Sequence, residues 1–261
     1  MTSGRPGATL DAMTTLAAPT LDIPVSDKPD SDHLPVPAPR SRTDESPSPT
    51  AKYVTEAIGT FMLVFTVGAA VYSGSPLAPL AIGAALMVMI YAGGHISGGH
   101  YNPAVTLAVL LRRRIELRDA VGYWVAQLGA GLVAALTVWA VIDPAQAAKT
   151  AALTLSGHAI IAAFLVELIF TFALCYVVLN VATSRSHPNN GFYGLAIGFT
   201  VVAGAAAVGS ISGAAFNPAV VLGAAAMGLF AWPTLWVYLI AQIAGATIAG
   251  LTFRHLNPTD Q

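Results

Sequence analysis

The chain has 261 residues, of which 55% are hydrophobic and only 10% charged, with a net charge of -1 and a mean hydropathy of +0.67. Soluble domains carry about 25% charged residues, so this composition excludes an ordinary soluble globule and points to a polytopic membrane protein. The near-zero charge leaves no electrostatic footprint for nucleic acid. One cysteine, Cys175, cannot form an intrachain disulfide, and neither a metal site nor a cofactor motif is legible.

Residues 1–50 are rich in Pro, Ser, Thr and Asp and show no hydrophobic periodicity. Such a segment buries too little apolar surface to offset its ordering entropy, which predicts a disordered, cytoplasmic N-terminal tail. It lacks the apolar stretch of a secretory signal. A solvated leader is favoured over a regulatory or partner-binding tail.

A membrane-crossing helix needs about 20 mostly apolar residues. Six stretches qualify, at 52–73, 79–97, 118–141, 158–181, 191–209 and 232–253. Cys175 lies inside the fourth and reads as a small buried hydrophobe. Two related segments follow the second and fifth stretches, "ISGGHYNPAVTLA" at 96–108 and "ISGAAFNPAVVLG" at 211–223. Asn favours the N-cap of a helix and Pro its first turn. The apolar run after each Asn-Pro suffices for about half a membrane thickness, so each predicts a short half-helix.

The two Asn-Pro pairs lie 115 residues apart, as do "LAIG" at Leu80 and Leu195, and the related runs that begin at Tyr123 and Tyr238. Glu56, Thr60 and Phe61 of the first span recur as Glu167, Thr171 and Phe172 of the fourth. This is an internal duplication, with halves at about 52–141 and 158–254. Three spans per half is an odd number, so the halves cross the membrane in opposite senses. Arg112, Arg113, Arg114, Arg118, Arg185 and Arg254 fall on one side, and Lys149 is the basic residue of the other. The positive-inside rule then makes both termini cytoplasmic. The arginine cluster reads as a topology signal rather than a site for anionic lipid headgroups. The expected channel domain covers 51–255, with a short C-terminal tail at 256–261.

Two half-helices that enter from opposite faces bring their N-termini together near the midplane. Each N-terminus carries roughly half a positive charge. Each Asn can cap its helix and still offer an NH₂ group. That arrangement suits neutral polar solutes and repels cations.

The sequence resembles the major intrinsic protein family, the aquaporins and glycerol facilitators. The matching residues are "GHISGGHYNPAVTLA" at 94–108, "SGAAFNPAV" at 212–220, the Glu of spans one and four, and the Ala-Gln pairs at 126–127 and 241–242. The resemblance covers about 52–254. It implies an all-α membrane fold of six transmembrane helices and two re-entrant half-helices. It also implies a homotetramer in the cell membrane whose partners are water, small neutral solutes and lipid. The two motifs would be Asn102, Pro103, Ala104 and Asn217, Pro218, Ala219, with both Asn as midplane donors. Backbone of Gly98, Gly99, His100 and Tyr101, and of Gly213, Ala214, Ala215 and Phe216, would line the pore. The His100 side chain reads as structural. His95 matches the family's cytoplasmic pore histidine. Glu56 and Glu167 would orient the loops by accepting hydrogen bonds rather than relay protons.

The family's second motif ordinarily carries an arginine where this chain has Val220. Alignment on the anchors puts the other filter positions at Ile82, Ala205 and Ala214, and places Val221 where glycerol channels have an Asp. The outer neck is therefore expected to be uncharged, apolar and wide. The implied function is a passive channel for water or small uncharged solutes such as glycerol, urea, ammonia or peroxide. The alternatives are a coupled secondary transporter, which also uses inverted repeats and broken helices, and a non-conducting scaffold. No nucleophile–base pair suggests an enzyme.

Overall fold

The computed structural model describes residues 47–260. The sequence reading of a disordered tail falls mostly on residues outside this range. Its last residues belong to the folded part, however. Ser48 caps the first helix by accepting a hydrogen bond from Ala51 N at 3.2 Å, and Pro49 opens the first turn. The tail boundary at residue 50 is therefore too late. A serine followed by proline is a helix start that the Pro-rich composition concealed.

The described chain is all-helical. It runs α1 (Pro49–Tyr72), α2 (Ala78–Ser97), α3 (Pro103–Leu111) and α4 (Leu117–Val141). After the single turn α5 (Pro144–Ala147) come α6 (His158–Val178), α7 (Tyr193–Ser212), α8 (Pro218–Ala226) and α9 (Leu235–Leu256). A π-helical turn, Leu179–Thr183, extends α6, and a 3₁₀ turn, Trp232–Thr234, leads into α9. Six of these helices are long and apolar enough to cross a membrane. The other two major elements, α3 and α8, have nine residues each, about 13 Å of helix. They are the expected half-helices.

The order of two long helices, a short one and a long one occurs twice, and the packing repeats with it. α1 lies against α2 and α4, and α6 lies against α7 and α9. Each half-helix also packs on the last helix of the opposite half, α3 on α9 and α8 on α4. α2 and α7 cross where Gly83 meets Gly198, again 115 residues apart. A Cβ on Gly83 would sit 2.5 Å from the Gly198 carbonyl oxygen, and one on Gly198 would sit 2.6 Å from that of Gly83. Only glycine permits that backbone approach, which is how helices pack when lipid removes the hydrophobic drive between them.

The distribution of polarity is that of a protein solvated by hydrocarbon. Val125 and Leu136 are each 70% exposed, whereas Glu56, Gln127, Glu167 and Gln242 are fully buried. Cys175 is buried, as expected. One face holds the start of α1, the end of α3, the α6–α7 loop and the segment after α9, joined by the pairs Lys52–Asp119 and Arg112–Asp260. The other face is tied by a short bridge between Leu153 and Phe230, and by the Tyr72 hydroxyl, which donates to the Met227 carbonyl.

Candidate functional site: two half-helices meeting on a channel

The loops that lead into α3 and α8 are built alike. α2 ends at Gly98 with φ 90°, and α7 ends at Gly213 with φ 81°. This is the left-handed C-cap that glycine favours. The chain then passes a second left-handed residue, Gly99 (φ 64°) or Ala214 (φ 53°), and a third, Tyr101 or Phe216, each at φ 49°. Bulky residues in this region cost on the order of 1 kcal/mol each.

Two buried carboxylates hold these strained loops. Glu56 accepts hydrogen bonds from Ser97 Oγ (2.7 Å), His100 N (2.9 Å), Tyr101 N (2.6 Å) and Gln127 Nε2 (2.8 Å). Glu167 accepts from Ser212 Oγ (2.7 Å), Ala215 N (3.0 Å), Phe216 N (2.8 Å) and Gln242 Nε2 (2.9 Å). Charge-assisted bonds of this kind are roughly twice as strong as neutral ones. Ser97 and Ser212 also accept from Gly99 N and Ala214 N, and the Tyr123 and Tyr238 hydroxyls donate to the carbonyls of the two serines. Every donor in one half has its counterpart 115 residues away in the other. The sequence reading had the glutamates in this geometry. It missed Ser97, Ser212, Tyr123, Tyr238 and the amide role of Gln127 and Gln242, although the repeat offset was the signal that could have found them.

Asn102 and Asn217 are the N-caps of α3 and α8. Their Oδ1 atoms accept from Ala104 N (2.8 Å) and Ala219 N (2.9 Å), and Pro103 and Pro218 open the helices. Each amide then crosses to the opposite loop. Asn102 Nδ2 donates to the Phe216 carbonyl and Asn217 Nδ2 to the Tyr101 carbonyl, both at 2.9 Å. Each NH₂ keeps one further N–H. This corrects the reading of Tyr101 and Phe216 as pore-lining backbone. Their carbonyls are committed to the asparagines, Tyr101 donates its hydroxyl to Met89 O, and the Phe216 ring lies 5.3 Å from that of Phe170. The carbonyls of Gly98, Gly99, His100, Gly213, Ala214 and Ala215 accept no hydrogen bond from the described residues. They remain as the free acceptors of the two loops.

A cavity of about 340 Å³ opens from the asparagines toward the face of the Leu153–Phe230 bridge. Asn102, Asn217, Gly99, His100, Gly213, Ala214 and Ala215 line its inner end. All four expected filter residues, Ile82, Ala205, Ala214 and Val220, also line it. Its remaining wall is aliphatic apart from Phe230, with Thr150 as a polar side chain at the outer end. The His100 ring is held with Nδ1 3.0 Å from Thr106 Oγ1 and edge-on to Tyr123. On the arginine-bearing face a vestibule of about 560 Å³ is lined by Gly98, His100, Tyr123, Arg114 and Arg185. It shares His100 and Val178 with the lining of the first cavity. His95 is exposed beside it, in a smaller hollow with Gly98, His187 and Tyr193. Neither Glu56 nor Glu167 lines any of these three cavities.

The profile of the family described as major intrinsic protein matches residues 44–253. "Glycerol uptake facilitator protein-like 6" of Lactiplantibacillus plantarum is 40% identical over 219 residues, 80% of this chain and 99% of the relative. "Nodulin-26" of Glycine max is 34% identical over 80% of this chain and 79% of its own length. Among solved structures, the aquaglyceroporin from Plasmodium falciparum superposes with a TM-score of 0.67 at 22% identity, over 79% of this chain and 96% of that one. The last likeness speaks for the fold. The first three observations, with the duplicated Asn-Pro half-helices, show that this chain belongs to the major intrinsic protein family.

Proposed function

We propose that the vestibule and the apolar cavity are two halves of one conducting path, with an uncharged neck formed by Ile82, Ala205, Ala214 and Val220. The chain is a multi-pass membrane channel, not an enzyme, and it passes water and small solutes passively. The proposal concerns which solutes and by what geometry. The observation that carries it is the reciprocal crossing of Asn102 and Asn217 onto the opposite loops at 2.9 Å. This crossing sets two helix N-termini and two spare N–H donors at the inner end of the apolar cavity, where cations are repelled.

On either side, free carbonyls accept hydrogen bonds from a passing solute while aliphatic walls face its apolar side. Where the family resemblance puts an arginine, Val220 supplies neither charge nor donors. The neck therefore discriminates weakly in favour of water and admits larger uncharged solutes, of the size of glycerol or urea. Glu56 and Glu167, saturated by loop donors and away from the cavities, serve as loop holders rather than proton carriers. The arginine-bearing face is the cytoplasmic one, in a cell membrane, with both termini on that side. The folded part that begins at Ser48 forms the channel unit, and four copies assemble with one path each, as the family resemblance implies.

The test is flux in proteoliposomes. Water, glycerol and urea should each move down their own gradients, with no dependence on a proton or sodium gradient. Flux equal to that of empty vesicles, or flux that requires an ion gradient, contradicts the proposal.

A further inference from the structure

Asp260 follows α9 and is only 5% exposed. Four hydrogen-bond donors and a further ion-pair contact, from two other segments, converge on its carboxylate. Oδ1 receives Arg112 Nη2 at 2.7 Å and Arg114 Nη2 at 3.3 Å, with Arg185 Nε at 3.6 Å. Oδ2 receives Arg185 N at 2.8 Å and Ser184 Oγ at 3.2 Å. Three guanidinium groups thus face one negative charge. Arg112 is 1% exposed, lies with its guanidinium carbon 4.4 Å from the centre of the Phe253 ring, has Nη2 3.5 Å from the Thr183 carbonyl oxygen, and keeps Nε and Nη1 without an acceptor among the described residues. Arg114, Ser184 and Arg185 also line the vestibule. Of the carboxylates there, Asp119 is held by Lys52 and Tyr53, and Glu116 makes no ion pair among the described residues. The socket therefore has more donors and more positive charge than a single carboxylate uses.

Its occupant is lightly tethered. Between Leu256 and Asp260 the chain is non-helical, Pro258 and Thr259 are exposed, and the backbone bonds of the segment are local ones to Phe253 and Asn257. The Asp260 side chain is what joins it to the rest of the protein.

We propose that Arg112, Arg114, Ser184 and Arg185 form an oxyanion site on the vestibule rim, filled by Asp260 in this structure, that takes a phosphate group when residues 257–260 swing out. A phosphate monoester or inorganic phosphate brings up to two charges and three or more acceptor oxygens, which suits three arginines better than a carboxylate does. Ligand binding and release of the segment are then one equilibrium, because both need the same donors. The site lies on the rim of the vestibule, and phosphate binding there does not depend on which solute the path carries.

The experiment compares the full chain with Asp260→Asn. In detergent, inorganic phosphate should bind Asp260→Asn at least tenfold more tightly than the unsubstituted protein, with chloride at matched ionic strength as the control. In phosphate-free nanodiscs, thermal stabilisation of Asp260→Asn by phosphatidic acid over phosphatidylcholine would make a lipid headgroup a source of the same group. Either response supports the site, and their pattern identifies the source. If neither appears, or if both proteins respond equally, the proposal is wrong. Should Asp260→Asn fail to fold, amide exchange on the unsubstituted protein decides. Phosphate should speed exchange at Asp260 about tenfold where chloride does not, and an unchanged rate overturns the proposal.

Discussion

Glu167 is a charge with no exposed surface, and it persists because four donors meet its two oxygens. Removing the carboxylate strands two loop N–H groups, a hydroxyl and an amide, and each buried unpaired group costs roughly 1–3 kcal/mol. Glu167→Ala should therefore lower stability by about 3 kcal/mol or more, read as a fall in melting temperature, and should abolish solute flux at equal protein density. Ala214 offers the opposite effect. At φ 53° it occupies a conformation that glycine adopts freely, as Gly99 does in the other half. Ala214→Gly should raise the melting temperature, by an increment of at most about 1 kcal/mol because glycine also gains entropy in the unfolded chain. A lower melting temperature would show that the Ala214 methyl packs favourably in the neck. At this scale the sequence revealed the residues whose chemistry is out of place in hydrocarbon, Asn102, Asn217, Glu56 and Glu167. It did not reveal which way the carbonyls of Tyr101 and Phe216 point, because that follows from a backbone turn that no residue type dictates.

The elements were legible for a related reason. A run of apolar residues long enough to span a bilayer leaves little freedom, and the Asn-Pro pairs mark where α3 and α8 begin. Helix ends were less legible. α7 starts at Tyr193 rather than 191 and continues to Ser212 rather than 209, because its end is fixed by the left-handed Gly213 and not by hydrophobicity. The crossing of α2 and α7 depends on Gly83 and Gly198, where each backbone carbonyl occupies the space a side chain would need. Overpacking of this kind costs about 1–3 kcal/mol when side chains can shift, and backbone cannot shift as side chains do. Gly83→Leu should therefore separate α2 from α7 and lose about 3 kcal/mol or more, seen as a lower melting temperature and a broader unfolding transition. Wild-type stability in that variant would mean that the two helices do not meet at these glycines.

For the whole molecule, the 115-residue offset links the two loops and the half-helices into one inverted arrangement, and Glu56 and Glu167, 111 residues apart, hold the loops in it. The arginines were read for topology alone, and the socket around Asp260 was hidden. Nothing in "RRR" at 112–114 says that the first is buried, and residues 256–261 read only as a short C-terminal tail. Burial alone raises the pKa of Asp260, but the backbone N–H of Arg185, the Arg112 guanidinium and the Ser184 hydroxyl outweigh it and hold the group below the ordinary carboxylate value. A depressed folded-state pKa contributes stability that is present above the unfolded value of about 4 and lost as pH falls through the folded one. The segment should thus stay attached throughout the neutral range and detach as pH falls below the ordinary carboxylate range, which amide exchange at Asp260 measured against pH would show. The proposed orientation predicts that tags at both ends of the chain resist external protease in intact cells, and native mass measurement in lipid should give four copies.

The central claim is that an uncharged neck sets what the channel passes. It is tested most directly by Val220→Arg in proteoliposomes, with water and glycerol flux measured on the same vesicles at equal protein density. An arginine there restores a fixed charge and five donors and narrows a wall that is now aliphatic. The account predicts that glycerol flux falls several-fold more than water flux, so that the solute-to-water ratio drops. An unchanged ratio in a correctly folded variant would show that Val220 does not stand at the constriction, and the account of the neck would be wrong.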